Sequence, residues 1–99
     1  MQTKRLADDE ALGRARWIWE NGSLRRTGHF EVELKNAGAT MVDAEDVLFG
    51  DCEVKKAEWN VEHGQWRYTI SGHDSDGCEL NLVVSIDIKK SELVLITAF

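Results

Sequence analysis

Ninety-nine residues, 42% hydrophobic and 30% charged, are enough for one globular domain over residues 1–99 and exclude a disordered chain. A formal charge of −6 gives no global basic field of the kind that nucleic-acid binders carry. No apolar run is long enough to cross a bilayer, and "MQTKRLADDEALGRARW" lacks the apolar stretch of a secretory signal, so a cytoplasmic protein without membrane contact is expected.

The front half reads as helical. In "ADDEALGRARWIWENG", Asp8 or Asp9 suits the N-cap, acids fill the first turn and Gly22 suits the stop. Ala11, Ala15 and Trp19, with Leu12 and Ile18, form a helical apolar stripe, while Trp17 falls off it. "SLRRT" reads as a short extended connection. A second helix then starts near His29, with Phe30, Leu34 and Ala37 at i, i+4 and i+7 and Gly38 at C′. A third, shorter helix is expected from Asp43 to about Gly50.

From residue 52 the hydrophobic period changes to two. "CEVKKAEW", "QWRYTISG", "CELNLVVSIDI" and "ELVLITAF" read as four strands joined by short turns, which predicts an antiparallel meander. Asp74-Ser75-Asp76-Gly77 lacks the downstream ligands of a calcium loop and reads as a hairpin turn. Trp66, Tyr68 and Ile70 share one face with Cys78, Leu80, Leu82, Val84 and Ile86. Arg67, Thr69 and Ser71 share the other with Glu79, Asn81, Ser85 and Asp87. The expected fold is therefore α+β, with two to three N-terminal helices on the apolar face of a four-stranded antiparallel sheet and the polar face left open. Cys78 is expected as a buried free thiol. Cys52 and Cys78 give no disulfide framework and no zinc-ligand spacing, so no metal or cofactor is expected.

Several short motifs in this order carry a family likeness: His29-Phe30, Met41 through Val47, Trp66-Arg67-Tyr68, Gly72, Gly77, Leu82-Val83-Val84 and Ile96-Thr97-Ala98-Phe99. From Ala11 to Phe99 the chain resembles domain-of-unknown-function family 4258, a toxin-like family similar in fold to the RelE and MqsR messenger-RNA interferases. The resemblance implies a RelE-like fold and a type II toxin-antitoxin toxin that acts as a metal-independent endoribonuclease on messenger RNA, free or ribosome-bound. It also implies a zinc-ribbon and helix-turn-helix antitoxin as partner. Glu31 and Glu33 stand where many members carry basic residues. With the acidic C-terminal half, they favour an alternative: a non-catalytic interaction module, a degenerate toxin that binds a DNA-binding partner.

Under the nuclease reading His29 is the acid/base, since an unperturbed imidazole exchanges protons at neutral pH. Its other reading is a cap or packing residue at the helix start. Arg67, with Arg25 and Arg26, would grip phosphate through the planar guanidinium fork, or else Arg67 pairs across the strands with Glu58 or Glu79. His73 would complete a catalytic set with His29 and Arg67 if its hairpin curls back, or else bonds locally in the turn. Lys55 is either an RNA contact or, with Lys56, edge-strand protection. His63, at a hairpin tip, receives no role. Trp66 and Tyr68 fall on the apolar face and read as core rather than as base-stacking platforms.

Overall fold

Helix α1 (Asp8–Asn21) is the first element of the computed structural model, which describes residues 4–99. Its N-cap is Ala7, with no side-chain cap, and Asp8, Asp9 and Glu10 lie inside the first turn, where their charge meets the helix dipole. Asp8, one of the two expected caps, is instead ion-paired with Arg5. Ala11, Ala15 and Ile18 are buried, Leu12 and Trp19 pack beside them, and Trp17 stands in solvent. Gly22 ends the helix because nothing larger fits: a Cβ there would lie 2.3 Å from the carbonyl oxygen of Ser91.

That close approach starts an element that the sequence pattern does not reveal. "SLRR" is a strand, β1 (Ser23–Arg26), followed by α2 (Gly28–Asn36) and α3 (Met41–Phe49). Thr27 caps α2 by accepting from the Phe30 amide at 3.1 Å, and its hydroxyl reaches the carbonyl oxygens of Leu95 and Ile96. Phe30 and Leu34 are buried, whereas Ala37, expected in the stripe, is an exposed C-cap. Gly38 takes the left-handed φ of +70° that closes such helices. Helix α3 begins two residues before Asp43, because Thr40 and Asp43 form a reciprocal capping box that makes Asp43 the N3 residue. Arg16 of α1 donates to the carbonyl oxygens of Leu48 and Gly50, placing a cation at the C-terminus of α3.

The remaining strands are β2 (Glu53–Asn60), β3 (Gln65–His73), β4 (Glu79–Asp87) and β5 (Glu92–Ala98). They form the expected antiparallel meander, but the sheet has five strands, not four. It is mixed, with order β1-β5-β4-β3-β2 and β1 parallel to β5. A four-residue strand with one half-buried side chain has no readable alternation, and its pairing is set by β5, about seventy residues away in sequence. The architecture is α+β, with three helices on one face of a five-stranded mixed sheet.

All three helices bury their apolar residues in one cluster with Tyr68, Ile70, Leu80, Leu82, Val84, Ile86, Leu93 and Leu95. Each such large side chain contributes about 1.5–3 kcal/mol by leaving water. Tyr68 places its hydroxyl under the Leu6 amide at 2.9 Å, which ties the segment before α1 to the sheet. Cys78 is not the buried strand residue expected. The Asp74 carboxylate accepts from the amides of Asp76 and Cys78, so the turn runs through Cys78, leaves the thiol exposed and delays β4 to Glu79. Two irregularities, at Val54/Lys56 and at Val83/Val84, add local twist to the sheet.

Thr27→Ala should lower the unfolding free energy by about 1–2 kcal/mol in urea, and Thr27→Ser should keep most of it. Burial pushes the Tyr68 hydroxyl's pKa above its ordinary value, against the opposing Leu6 amide bond and the charge of Arg5. The folded protein therefore holds this proton longer than the unfolded chain. Its contribution is complete below about pH 10 and is lost as pH rises through the raised value. Unfolding midpoints measured from pH 9 upward should fall less steeply for Tyr68→Phe than for the wild type.

Candidate functional site on the helix-free sheet face

The helix-free face is built from the alternate residues of each strand. Arg25 on β1 lies opposite Val94 on β5, and Val94 lies opposite Ser85 on β4. Arg67 on β3, one residue before the Tyr68–Val84 pair, continues the same row. One cross-sheet row therefore runs Arg25, Val94, Ser85, Arg67, Glu58, with three strand spacings, roughly 14 Å, between the backbones of its two arginines. Although no helix covers this face, Thr69, Asn81, Ser85 and Val94 are buried on it.

Arg67 is the least satisfied charge on this face. The Nε–H is buried and has no partner. Neither ion pair expected for it is formed. Glu58 is taken by Lys56 at 3.1 Å, and Glu79 accepts from Asn81 Nδ2 at 3.4 Å. A buried guanidinium donor without an acceptor carries a desolvation cost on the order of 1–3 kcal/mol, which an anion would offset. The second unpartnered buried atom among the described residues, Asn81 Oδ1, is on the same face.

Beside this row lies a groove of ≈ 370 Å³ between the β2–β3 hairpin and the β4–β5 turn. Arg25, His63, Gln65, Ser85 and Lys90 line it, together with Asp87 and Glu92. Ser85 Oγ donates to Gln65 Oε1 at 3.1 Å, which fixes part of the floor. His63, Gln65 and Lys90 carry no functional reading in the sequence. Two of them sit in turns, where only the folded register decides what they face.

The residues expected to act together fall into three places. Arg25 and Arg67 share the helix-free face. Arg26 follows Leu24 to the helical side, where Glu31 of α2 holds it at 3.0 Å. His29 is exposed in the first turn of α2 and is not the cap, since Thr27 is. His73, at the far end of β3 opposite Glu79, shares a second hollow of ≈ 400 Å³ with Lys55, Cys52 and Glu79. Lys55 is the residue at the β2 irregularity, which re-aims it toward that hollow. β3 and β1 lie three strand spacings apart, so the hairpin does not bring His73 to His29. Among the described residues, no group of three or more His, Cys, Asp or Glu side chains is placed to hold a metal ion, and no helix is long and apolar enough to cross a membrane.

The fold and face together define a small α+β domain that presents an unpaired arginine on an uncovered mixed sheet. Comparison with protein-family models, with curated proteins and with solved structures finds no match.

Arg67→Met keeps the apolar stem and removes the unpartnered donor. Its urea unfolding free energy should equal that of the wild type or exceed it by about 1 kcal/mol. A clear loss of stability would mean that the guanidinium supports the fold instead of awaiting a ligand.

Proposed function

We propose that this protein is a toxin-like endoribonuclease of the RelE kind that acts on messenger RNA without a metal, with the helix-free sheet face as its working surface. The observation that carries this reading is Arg67, a guanidinium on that face with a buried, unpartnered Nε–H. RNA offers it a phosphate oxygen as acceptor, and the planar fork suits bidentate contact. Arg25, in the same row, would contact a neighbouring phosphate. Its pair with Glu92 spans 3.7 Å and leaves the arginine side chain 64% exposed, so little is lost when a phosphate displaces the carboxylate. Cleavage of this type needs a proton acceptor for the 2′-hydroxyl and cations for the charge that builds on phosphorus. His29 stands off this face, and His73 lies in the other hollow, so neither adjoins the arginine row. The overall charge of −6 weakens binding to free RNA, which suits a substrate presented by the ribosome.

A second reading is a non-catalytic module that binds a basic, DNA-binding partner such as a zinc-ribbon and helix-turn-helix antitoxin. The ion pairing of Arg25 with Glu92 and Arg26 with Glu31 favours it, because each pair cancels a cation and leaves the remaining acids in excess.

Induced in a bacterial host, the wild type should arrest growth and Arg67→Ala should not, with equal soluble expression. In vitro, Arg67→Ala should weaken binding to fluorescent single-stranded RNA about ten- to hundredfold, the range for a charged hydrogen bond. A folded wild type that neither arrests growth nor binds RNA would overturn the nuclease reading and leave the partner-binding one.

A further inference from the structure

We infer that the groove between the β2–β3 hairpin and the β4–β5 turn seats the nucleotide at the scissile phosphate, and that His63 on its wall is the proton acceptor of the cleavage step. The inference rests on the nuclease reading and adds a residue and a place to it.

Size comes first. A hollow of ≈ 370 Å³ lies in the lower range of small-ligand sites and is large enough for one nucleotide. Its position comes next. The groove holds Arg25 and Ser85, two members of the row that contains Arg67, so a strand gripped by Arg67 passes over its mouth. Its charges balance, with the cations Arg25 and Lys90 against the carboxylates Asp87 and Glu92, so a phosphodiester binds by displacing Glu92 from Arg25. Glu92 faces Arg25 at 3.7 Å, and Asp87 Oδ1 accepts from the Lys90 amide at 3.1 Å. Val94 gives an apolar strip of floor, and the Ser85–Gln65 pair gives a polar edge with hydroxyl and amide groups to meet a sugar or a base.

Of the three histidines, His63 alone lines this groove. Its backbone is pinned, since the His63 amide donates to Asn60 Oδ1 at 2.8 Å, so the imidazole hangs from a fixed turn while the ring stays accessible. The step balances without a metal or a second substrate. The 2′-oxygen attacks phosphorus as its proton passes to His63, and the P–O5′ bond breaks. The 5′-oxygen takes a proton from solvent, and the imidazolium later returns its own. The products are a 2′,3′-cyclic phosphate and a 5′-hydroxyl end. Arg25 and Lys90 neutralise the charge on the non-bridging oxygens, and Arg67 holds the neighbouring phosphate.

The experiment uses the full chain and two probes: natural single-stranded RNA for cleavage, and a fully 2′-O-methylated RNA of the same sequence for binding. His63→Gln should bind the methylated RNA as the wild type does and cleave the natural RNA about 10²- to 10⁴-fold more slowly. His29→Gln and His73→Gln should cleave at close to the wild-type rate. A His63→Gln protein that cleaves as fast as the wild type overturns this assignment and leaves the nuclease reading standing. A wild type that binds the methylated RNA but leaves natural RNA intact, both free and presented on ribosomes, overturns both.

Discussion

The parallel pairing of Ser23–Arg26 with Glu92–Leu95 is the constraint on which the rest of the molecule depends. It is short, yet it joins the helical half of the chain to the last strand of the sheet. The Ser23 amide donates to Ser91 O, the Thr27 amide donates to Leu95 O, and Gly22 lets the end of α1 come against Ser91. From that junction α1 turns back over the core and α2 departs from the Thr27 cap. Strand alternation then divides three consecutive functions. Leu24 enters the core, Arg25 goes to the uncovered face, and Arg26 returns to the helical side to meet Glu31. A slip of one residue would exchange the two arginines and bury the wrong side chain.

The same alternation makes the sheet two-sided. Facing the helices, Tyr68, Ile70, Leu82, Val84, Leu93 and Leu95 supply the apolar area that outweighs the entropy of ordering the chain. On the other side the sheet buries Thr69, Asn81 and Ser85 without a covering helix. Such a face contributes less to stability than an apolar one of equal area, because polar groups leave water only in exchange for bonds. Two of them, Arg67 Nε and Asn81 Oδ1, leave it without exchange. Buried polar atoms without a partner are uncommon in folded proteins, and both of these lie on the uncovered face.

What could be read from the sequence followed from periodicity and turn chemistry. The period of two from residue 52 onward gives four strands and assigns Tyr68, Ile70, Leu82 and Val84 to the core. The 3.6 period gives Ala11, Ala15 and Ile18. Asp74 and Gly77 mark a turn that the structure contains, although the Asp74 bonds carry it as far as Cys78. The rest was illegible for physical reasons. "SLRR" has one half-buried residue and no local partner, so nothing in its own composition distinguishes a strand from a connection. Three histidines were visible as titratable groups, but their separation across the sheet depends on strand order. The parallel β1–β5 contact sets where the helical half, with His29, joins that order, and it leaves no local trace. His63 gives no local sign of the groove it lines, since a residue at a hairpin tip faces whatever the neighbouring turn places opposite it.

Charge alone misleads about where an acidic protein of this size can meet an anion. The chain carries 18 acidic and 12 basic residues, yet the ion pairs of the structure distribute them unevenly. Lys56 occupies Glu58, Arg26 occupies Glu31 and the Lys90 amide occupies Asp87, while Arg67 remains without an acceptor. Pairing among the neighbours leaves Arg67, between Ser85 and Glu58 in its row, as a cation without an acceptor on the uncovered face. At physiological salt, fields from exposed charges beyond roughly 8 Å are largely screened. An oligonucleotide held on this face would respond to the row beneath it far more than to the net charge of the whole. For the proposed RNA substrate, the acidity of the chain would govern how fast it arrives, and Arg67 with Arg25 whether it stays.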